Sequence, residues 1–307
     1  MRNPQWFSQT TARPTPQRLQ LHAQIRAELR DSFAHVPQAG KAVILAGPPG
    51  AGKTTLRASL GITEREWAVV DADVFKERLL REAVADGSYT TWIKPHEVSE
   101  REREGERFFP LEHAALVHEE SSMLAARVRT QAIKDKTNVV VDTVLSNEKK
   151  ARELGRQLAS GGYEVQVLDV EVPIDVSRAR MIARHEAGYR KGLTSTSAEE
   201  LGGRAVPSEV IEAVFAAGVN GRSAAQANAT MLLKEFNNVT DFRRFHPDAS
   251  AGSVSQAPSP ETLAYRLTVG GEIRLGTKPI RREPLHGLPP SPPEKGASKD
   301  SDLGIGD

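Results

Sequence analysis

Short apolar runs alternate with longer segments of helical spacing through the first two-thirds of the chain, and polar residues gather where the runs end. Ala42-Val43-Ile44-Leu45-Ala46 has the composition of a strand buried on both faces. Trp67-Ala68-Val69-Val70 runs into Asp71-Ala72-Asp73, Asn138-Val139-Val140-Val141 stops at Asp142, and Val165 to Val172 is a fourth candidate strand. Between them lie helical patterns: Pro16 to Phe33, with an apolar stripe through Leu19, Ile25, Leu29 and Phe33, and Val74 to Ala85 directly after the second strand. Strands separated by helices predict an α/β fold, a doubly wound parallel sheet flanked by helices. Ligands of such a sheet bind beyond the C-terminal ends of its strands. No repeat of fixed period is visible.

Composition divides the chain further. Residues 1–15 are rich in Pro, Thr and Gln and read as a loose N-terminus, and 16–245 reads as one domain. A linker follows over 246–276, with a small hairpin expected from Leu263 to Leu275 around Gly270-Gly271. From 277 to 307 the Pro, Ser, Gly and Lys content reads as a disordered tail. The alternating Glu and Arg residues of Glu97 to Arg107 read as a solvated helix laced by intrahelical ion pairs.

The first strand leads into Gly47-Pro48-Pro49-Gly50-Ala51-Gly52-Lys53-Thr54, which fits the phosphate-binding loop of P-loop NTPases, with a strand before it and a helix after. The glycines let backbone N–H groups turn inward toward phosphate oxygens, and the helix start adds unpaired donors. Lys53 is placed to reach the β- and γ-phosphates, the Thr54 hydroxyl to ligate Mg²⁺, and Thr55 to line the same nucleotide site. The bland alternative is a glycine-rich turn with a solvated lysine.

Transfer of a phosphoryl group also needs a base for the acceptor and positive charge on the group in flight. Asp71 and Asp73 lie just past a strand end, where a carboxylate can take the acceptor's hydroxyl proton. Helix capping explains one aspartate well and two less well, so one is read as cap or support and the other as base. After the fourth strand, Pro173-Ile174-Asp175 opens a helix carrying Arg178, Arg180 and Arg184. Arg190, Lys191 and Arg204 follow in what reads as a mobile lid stretch.

Charge narrows the partners. A formal net charge of +1 with 26% charged residues gives no global field for nucleic acid or an anionic membrane. Basic clusters interleaved with aromatics, the mark of a nucleic-acid-end kinase, are missing. Zero cysteines exclude disulfides, thiolate catalysis and cysteine-ligated zinc. Neither an apolar run of membrane-spanning length nor a signal-peptide stretch at Met1 to Trp6 is present, and the expectation is a cytoplasmic protein without membrane partners.

Taken in order, these pieces resemble the zeta toxins, P-loop kinases of bacterial toxin–antitoxin systems whose core is similar to that of chloramphenicol phosphotransferase. The phosphate loop, Val70 to Lys76, His118-Glu119-Glu120-Ser121-Ser122, the strand ending at Asp142, Ile182 to Glu186 and Gly203-Arg204-Ala205-Val206-Pro207 carry the likeness, from about Pro16 to Gly218. It implies a kinase moving the γ-phosphoryl of ATP or GTP, with Mg²⁺, to the 3′-hydroxyl of the amino sugar of UDP-N-acetylglucosamine, and a small antitoxin protein as partner. By position, Asp73 matches the general base, Lys53 the loop lysine, and Arg184 and Arg204 the two arginines on the transferring phosphate. Asp71, Glu119, Asp142 and Thr143 fall on the segments that would meet the acceptor. One departure stands out: where the family often has an acidic residue, glycine and threonine, this chain reads Asp142-Thr143-Val144. That opens a different nucleotide-linked acceptor, and a nucleotide-binding regulatory module without kinase activity is the reading from another class.

Overall fold

The computed structural model describes residues 6–7, 13–197, 200–218, 221–247, 262–265 and 272–276. Most of the predicted linker, the expected turn at Gly270-Gly271 and the whole of the predicted tail therefore lie outside the described residues. In chain order the elements are α1 (Pro16–Ser32), β1 (Lys41–Ala46), α2 (Lys53–Ser59), β2 (Ala68–Val70), α3 (Ala72–Ala85), α4 (His96–Arg103) and α5 (His118–Lys134). They continue as β3 (Val139–Thr143), α6 (Glu148–Ser160), β4 (Glu164–Val170), α7 (Ile174–Thr194), α8 (Ser208–Ala216), α9 (Ala224–Glu235), β5 (Val239–Phe245), β6 (Thr262–Tyr265) and β7 (Arg274–Gly276).

The sheet runs in the order β2-β3-β1-β4-β5-β6-β7. Its first five strands are parallel, and β6 and β7 close one edge antiparallel. β1 is central and wholly apolar after Lys41, as a strand with helices on both faces must be. All four strands expected from the sequence are present. A fifth, β5, was not legible: Val239-Thr240-Asp241-Phe242-Arg243-Arg244-Phe245 breaks its alternation with a run of charge. The structure shows why the charge is tolerated, since Arg244 Nε donates to the buried Asp169 of β4 at 2.6 Å.

Two expectations need correction. The apolar stripe read for α1 is wrong at Leu19, which is exposed, whereas Arg18, His22 and Ile25 form the buried side. The reason is an ion cluster: Arg18 donates to both oxygens of the buried Glu120 at 2.6 and 2.9 Å, and His22 Nε2 lies 2.5 Å from the same carboxylate. Burial works to raise the Glu120 pKa, but those bonds win and hold it below the ordinary range. The second correction concerns Arg190 and Lys191, expected in a mobile stretch; both lie in α7, which continues to Thr194.

The charged segment is a helix with no buried residue over His96–Arg103, and it stops short of the expected Arg107, since 104–107 leave the helix. Only His96 with Glu100 pairs inside it at 3.5 Å, while Lys94 and Glu106 reach in from its flanks to Glu102 and Arg101.

Candidate active site

Three strand ends meet at one edge of the sheet, and each contributes a different chemical part. β1 delivers the phosphate loop. Gly47 has φ +142, and a Cβ there would fall 2.1 Å from the Val170 carbonyl oxygen, so only glycine lets the loop lie against the end of β4. Gly50 and Gly52 also have positive φ, at +70 and +94, and give the loop its curl. Ala51 is buried, and α2 starts at Lys53 with Thr54 and Thr55 exposed in its first turn. Lys53 Nζ donates to the Gly47 carbonyl at 3.1 Å and to that of Pro48 at 3.4 Å, with Asp142 Oδ1 at 3.8 Å.

From the other side α7 braces the loop. Ser177 Oγ donates to the Pro49 carbonyl at 2.7 Å, and Arg180 Nη1 to those of Gly50 and Ala51 at 3.3 and 3.5 Å. Arg180 is therefore the arginine in contact with the loop, while Arg184, one turn on, is exposed and near enough to Asp71 to act on its charge. Sequence reasoning placed Arg180 on this helix but gave it no role. Arg178 pairs with Glu212 at 2.7 Å and is committed to the surface.

β2 delivers the acidic pair. Asp71 caps α3, its Oδ1 accepting the Asp73 N–H at 2.9 Å. Asp73 sits in the first turn with its carboxylate between two cations. Lys76 Nζ donates to Oδ1 at 2.9 Å, and Arg204 Nη1 is ion-paired with Oδ2. Burial raises the Asp71 pKa against the pull of Lys53, Arg204, Lys76 and Arg184. It likewise lowers those of Lys76 and Arg204, opposed in each by Asp71. Lys76 escaped notice in the sequence, although its i+3 spacing from Asp73 on a helix was the available signal.

At the end of β3, Asp142 faces Lys53; burial raises its pKa and Lys53 opposes the shift. Thr143 Oγ1 accepts the N–H of Leu145, a residue in the left-handed region at φ +52, so this hydroxyl shapes the turn. Val144 packs with Ile174, Met181, Val206, Ile211, Val214 and Phe215 in a small apolar cluster beneath α7 and α8. The departure from the family pattern is thus explained by packing. Glu119 is exposed in the first turn of α5, beside the buried Glu120.

Arg204 reaches Asp73 from the loop between α7 and α8, and glycines fix that loop in place. A Cβ on Gly203 would lie 2.1 Å from the His185 carbonyl oxygen, and one on Gly188 2.5 Å from Gly203 Cα. On Gly202 it would meet Phe109 at 2.3 Å. Leu111 N–H donates to the Leu201 carbonyl at 2.9 Å, and Glu112 pairs with His185 at 3.1 Å. The structure shows an arm pinned to α7 where the sequence suggested a mobile lid.

Residues 103–244 match the family model described as Zeta toxin, which includes Glu119, Asp142, Thr143, Arg184 and Arg204 but starts beyond the phosphate loop and Asp73. The resemblance read from the motifs is borne out. No curated protein matches the chain in sequence. Among solved structures, the AvrRxo1-ORF1:AvrRxo1-ORF2 complex with sulphate ions is similar at 20% identity and a TM-score of 0.56, covering 85% of this chain and 70% of that one. The same complex with ATP gives 19% and 0.55 over the same shares. The PezAT chromosomal toxin–antitoxin system of Streptococcus pneumoniae gives 16% identity and 0.48 over 75% and 78%. The two AvrRxo1 matches show a shared fold, a mostly parallel α/β sheet flanked by helices. Among the described residues no helix is long and apolar enough to cross a membrane.

Proposed function

We propose that this chain, which carries a zeta toxin domain behind its phosphate loop, is a kinase that moves the γ-phosphoryl of ATP or GTP onto a hydroxyl of a nucleotide sugar, UDP-N-acetylglucosamine being the first candidate. The observation that carries the reading is the pairing of two unlike sites across one sheet edge. A main-chain phosphate cradle with Lys53 lies on β1, and the Asp73 carboxylate stands past β2, joined to an arginine from 131 residues further along the chain. A protein that only bound nucleotide would need the cradle and not the carboxylate. ATP bound to the similar AvrRxo1 complex supports the nucleotide half.

In this reading the acceptor's O–H bond breaks as its proton passes to Asp73, and the freed oxygen forms a bond to the γ-phosphorus. The bond from that phosphorus to the β-γ bridging oxygen breaks, and the nucleoside diphosphate leaves with the electron pair. Lys53, Arg204 and the loop N–H groups neutralise charge on the moving group, with Arg180 and Arg184 beside them. A Mg²⁺ ion fits the donors present, which are the Thr54 hydroxyl and the Asp142 carboxylate, hard oxygens of the kind it prefers. When bound, the ion would offset charge on the β- and γ-phosphates.

One observation favours another nucleotide-linked acceptor. Val144 packs against the apolar cluster and offers no hydroxyl, and the Thr143 hydroxyl, which accepts the Leu145 N–H, keeps only its O–H donor and one lone pair for an acceptor. By analogy with the two-protein AvrRxo1 complex, a small antitoxin partner belongs to the same proposal. The deciding experiment is incubation with Mg-ATP or Mg-GTP and a panel of nucleotide sugars, read by mass spectrometry. One product heavier by a single phosphate group, absent with Asp73→Asn, is expected. No product with any sugar overturns the proposal.

A further inference from the structure

The Asp73 carboxylate is covered on both sides, and the two covers differ in kind. Lys76 belongs to the same helix, three residues on, on the buried side of α3 with a side chain 8% exposed, so its ammonium is packed in place on Oδ1. Arg204 arrives on Oδ2 from outside any helix or strand, and its side chain is 23% exposed. Its backbone is pinned by the contacts at Gly202 and Gly203, so what freedom it has is in the long side chain. A carboxylate with a cation on each oxygen is a poor proton acceptor, because both ion pairs must be weakened for the proton to bind.

We infer, resting on the kinase reading above, that Lys76 is the fixed positioning residue of the base and Arg204 its exchangeable cover, so that a bound triphosphate draws Arg204 away and frees Asp73 Oδ2 for the acceptor. A terminal phosphate offers more negative charge than one carboxylate and matches the guanidinium fork at least as well. The exchange is a swing of one side chain about a clamped backbone. It makes proton removal from the acceptor conditional on a loaded nucleotide, and a nucleoside diphosphate, lacking the γ-phosphate, leaves the cover in place.

The test follows the Asp73 carboxyl directly, in the full chain labelled with ¹³C at aspartate side chains, its signal assigned by its loss in Asp73→Asn. Asp71, Lys53, Asp142, Arg184 and His118 also charge this edge and respond to bound nucleotide, so their effect on Asp73 is separated by the Arg204 variant, which keeps all five. Titrations are run free, with Mg-ADP and with a non-hydrolysable Mg-ATP analogue, calorimetry confirming that each nucleotide is bound. The Asp73 pKa is expected to rise by about one pH unit or more with the triphosphate, as a close cation is lost, and by much less with the diphosphate. Arg204→Met, or Arg204→Gln if the first does not fold, should start with a raised pKa and respond to the triphosphate by under half the wild-type shift. Lys76→Met should raise the value in all states alike and keep the shift, and the acidic limb of its kcat/KM profile should move to higher pH. A wild-type carboxyl unmoved by bound triphosphate overturns the inference, as does a diphosphate response of equal size or an Arg204 variant responding in full. Failure of any nucleotide to bind overturns the kinase reading, and this inference with it.

Discussion

The two halves of the site are built by different means. The half proposed to hold the nucleotide is one continuous octapeptide built through its main chain: positive φ at Gly47, Gly50 and Gly52 and the lysine that opens α2. The half proposed to meet the acceptor is made of side chains from separate segments, with Asp71, Asp73 and Lys76 on one helix start, Asp142 and Thr143 on a second strand, and Arg204 on a glycine-pinned arm. A main-chain device is specified locally and survives change elsewhere. A side-chain constellation depends on every contact that positions its parts, and the geometry of the arm shows how much support one arginine needs.

The largest effects are expected at the centres of the two halves. Asp73→Asn removes the proposed proton acceptor while keeping shape, and turnover is expected to fall by about 10²–10⁴-fold with nucleotide affinity near wild type. Asp71→Asn should do far less, since asparagine caps a helix as well as aspartate does. Lys53→Ala strikes the other half and should cost roughly a hundredfold or more in turnover. Steady-state kinetics with calorimetry on the same samples separates them, and equal losses for the Asp71 and Asp73 variants would mean that the base is misassigned.

Gly203→Ala tests whether the arm is part of the acceptor half. Its new Cβ would sit 2.1 Å from the His185 carbonyl and force Arg204 to shift. A displacement near 1 Å costs on the order of a hundredfold in rate, so a loss of about ten- to a hundredfold is expected, with nucleotide affinity little changed. Loss of nucleotide binding together with turnover would show that the two halves are not separable.

That division also explains what could be read in advance. The loop, the four strands and the acidic pair at a strand end were legible because each is a local pattern. β5 was hidden because Arg243 and Arg244 interrupt its apolar run, and the buried face of α1 because Arg18 and His22 are polar and can be buried only once Glu120, about a hundred residues on, satisfies them. Arg180 and Lys76 were visible as residues, but their contacts exist only once α7 crosses the loop and α3 starts at the acidic pair. The packing of Val144 needed the tertiary cluster to explain it.

Val144→Thr probes that cluster with a smaller effect. The added hydroxyl is set against Met181, Ile211, Val214 and Phe215, and because Val144 is only half-buried the cost is at most that of an unbonded buried hydroxyl, about 1–3 kcal/mol. A fall of several degrees in Tm with no gain in nucleotide-sugar turnover is expected. A turnover gain of roughly tenfold would mean that the side chain faces the acceptor after all.

The smallest effect concerns the wall behind the cradle. Val170, whose carbonyl lies against Gly47, is flanked in β4 and just beyond by Asp169 and Glu171, both buried. Asp169 accepts from Arg244 Nε at 2.6 Å, and Glu171 from Ser223 Oγ at 2.7 Å. Burial raises both pKa values, and the neighbouring Asp169 charge helps push Glu171 up to about 8, while Arg244 and His246 pull Asp169 back. A carboxyl raised in the folded state binds its proton there over a range in which the unfolded chain has already lost it. Its contribution to stability is therefore full below the unfolded value of 4.5 and is lost as pH rises through about 8. One such group steepens the stability curve by at most about 1.4 kcal/mol per pH unit. Glu171→Gln keeps an acceptor for Ser223 and a donor toward Asp169 without titrating, so the variant should hold its Tm between pH 5 and 9 better than wild type. Because the wall contacts only the back of the loop, nucleotide affinity in the variant at pH 7 should stay close to wild type. Parallel Tm curves would mean that Glu171 is ionised in the folded protein, and a matching drop in affinity would mean that the main-chain cradle depends on a side-chain pair, as the acceptor half does.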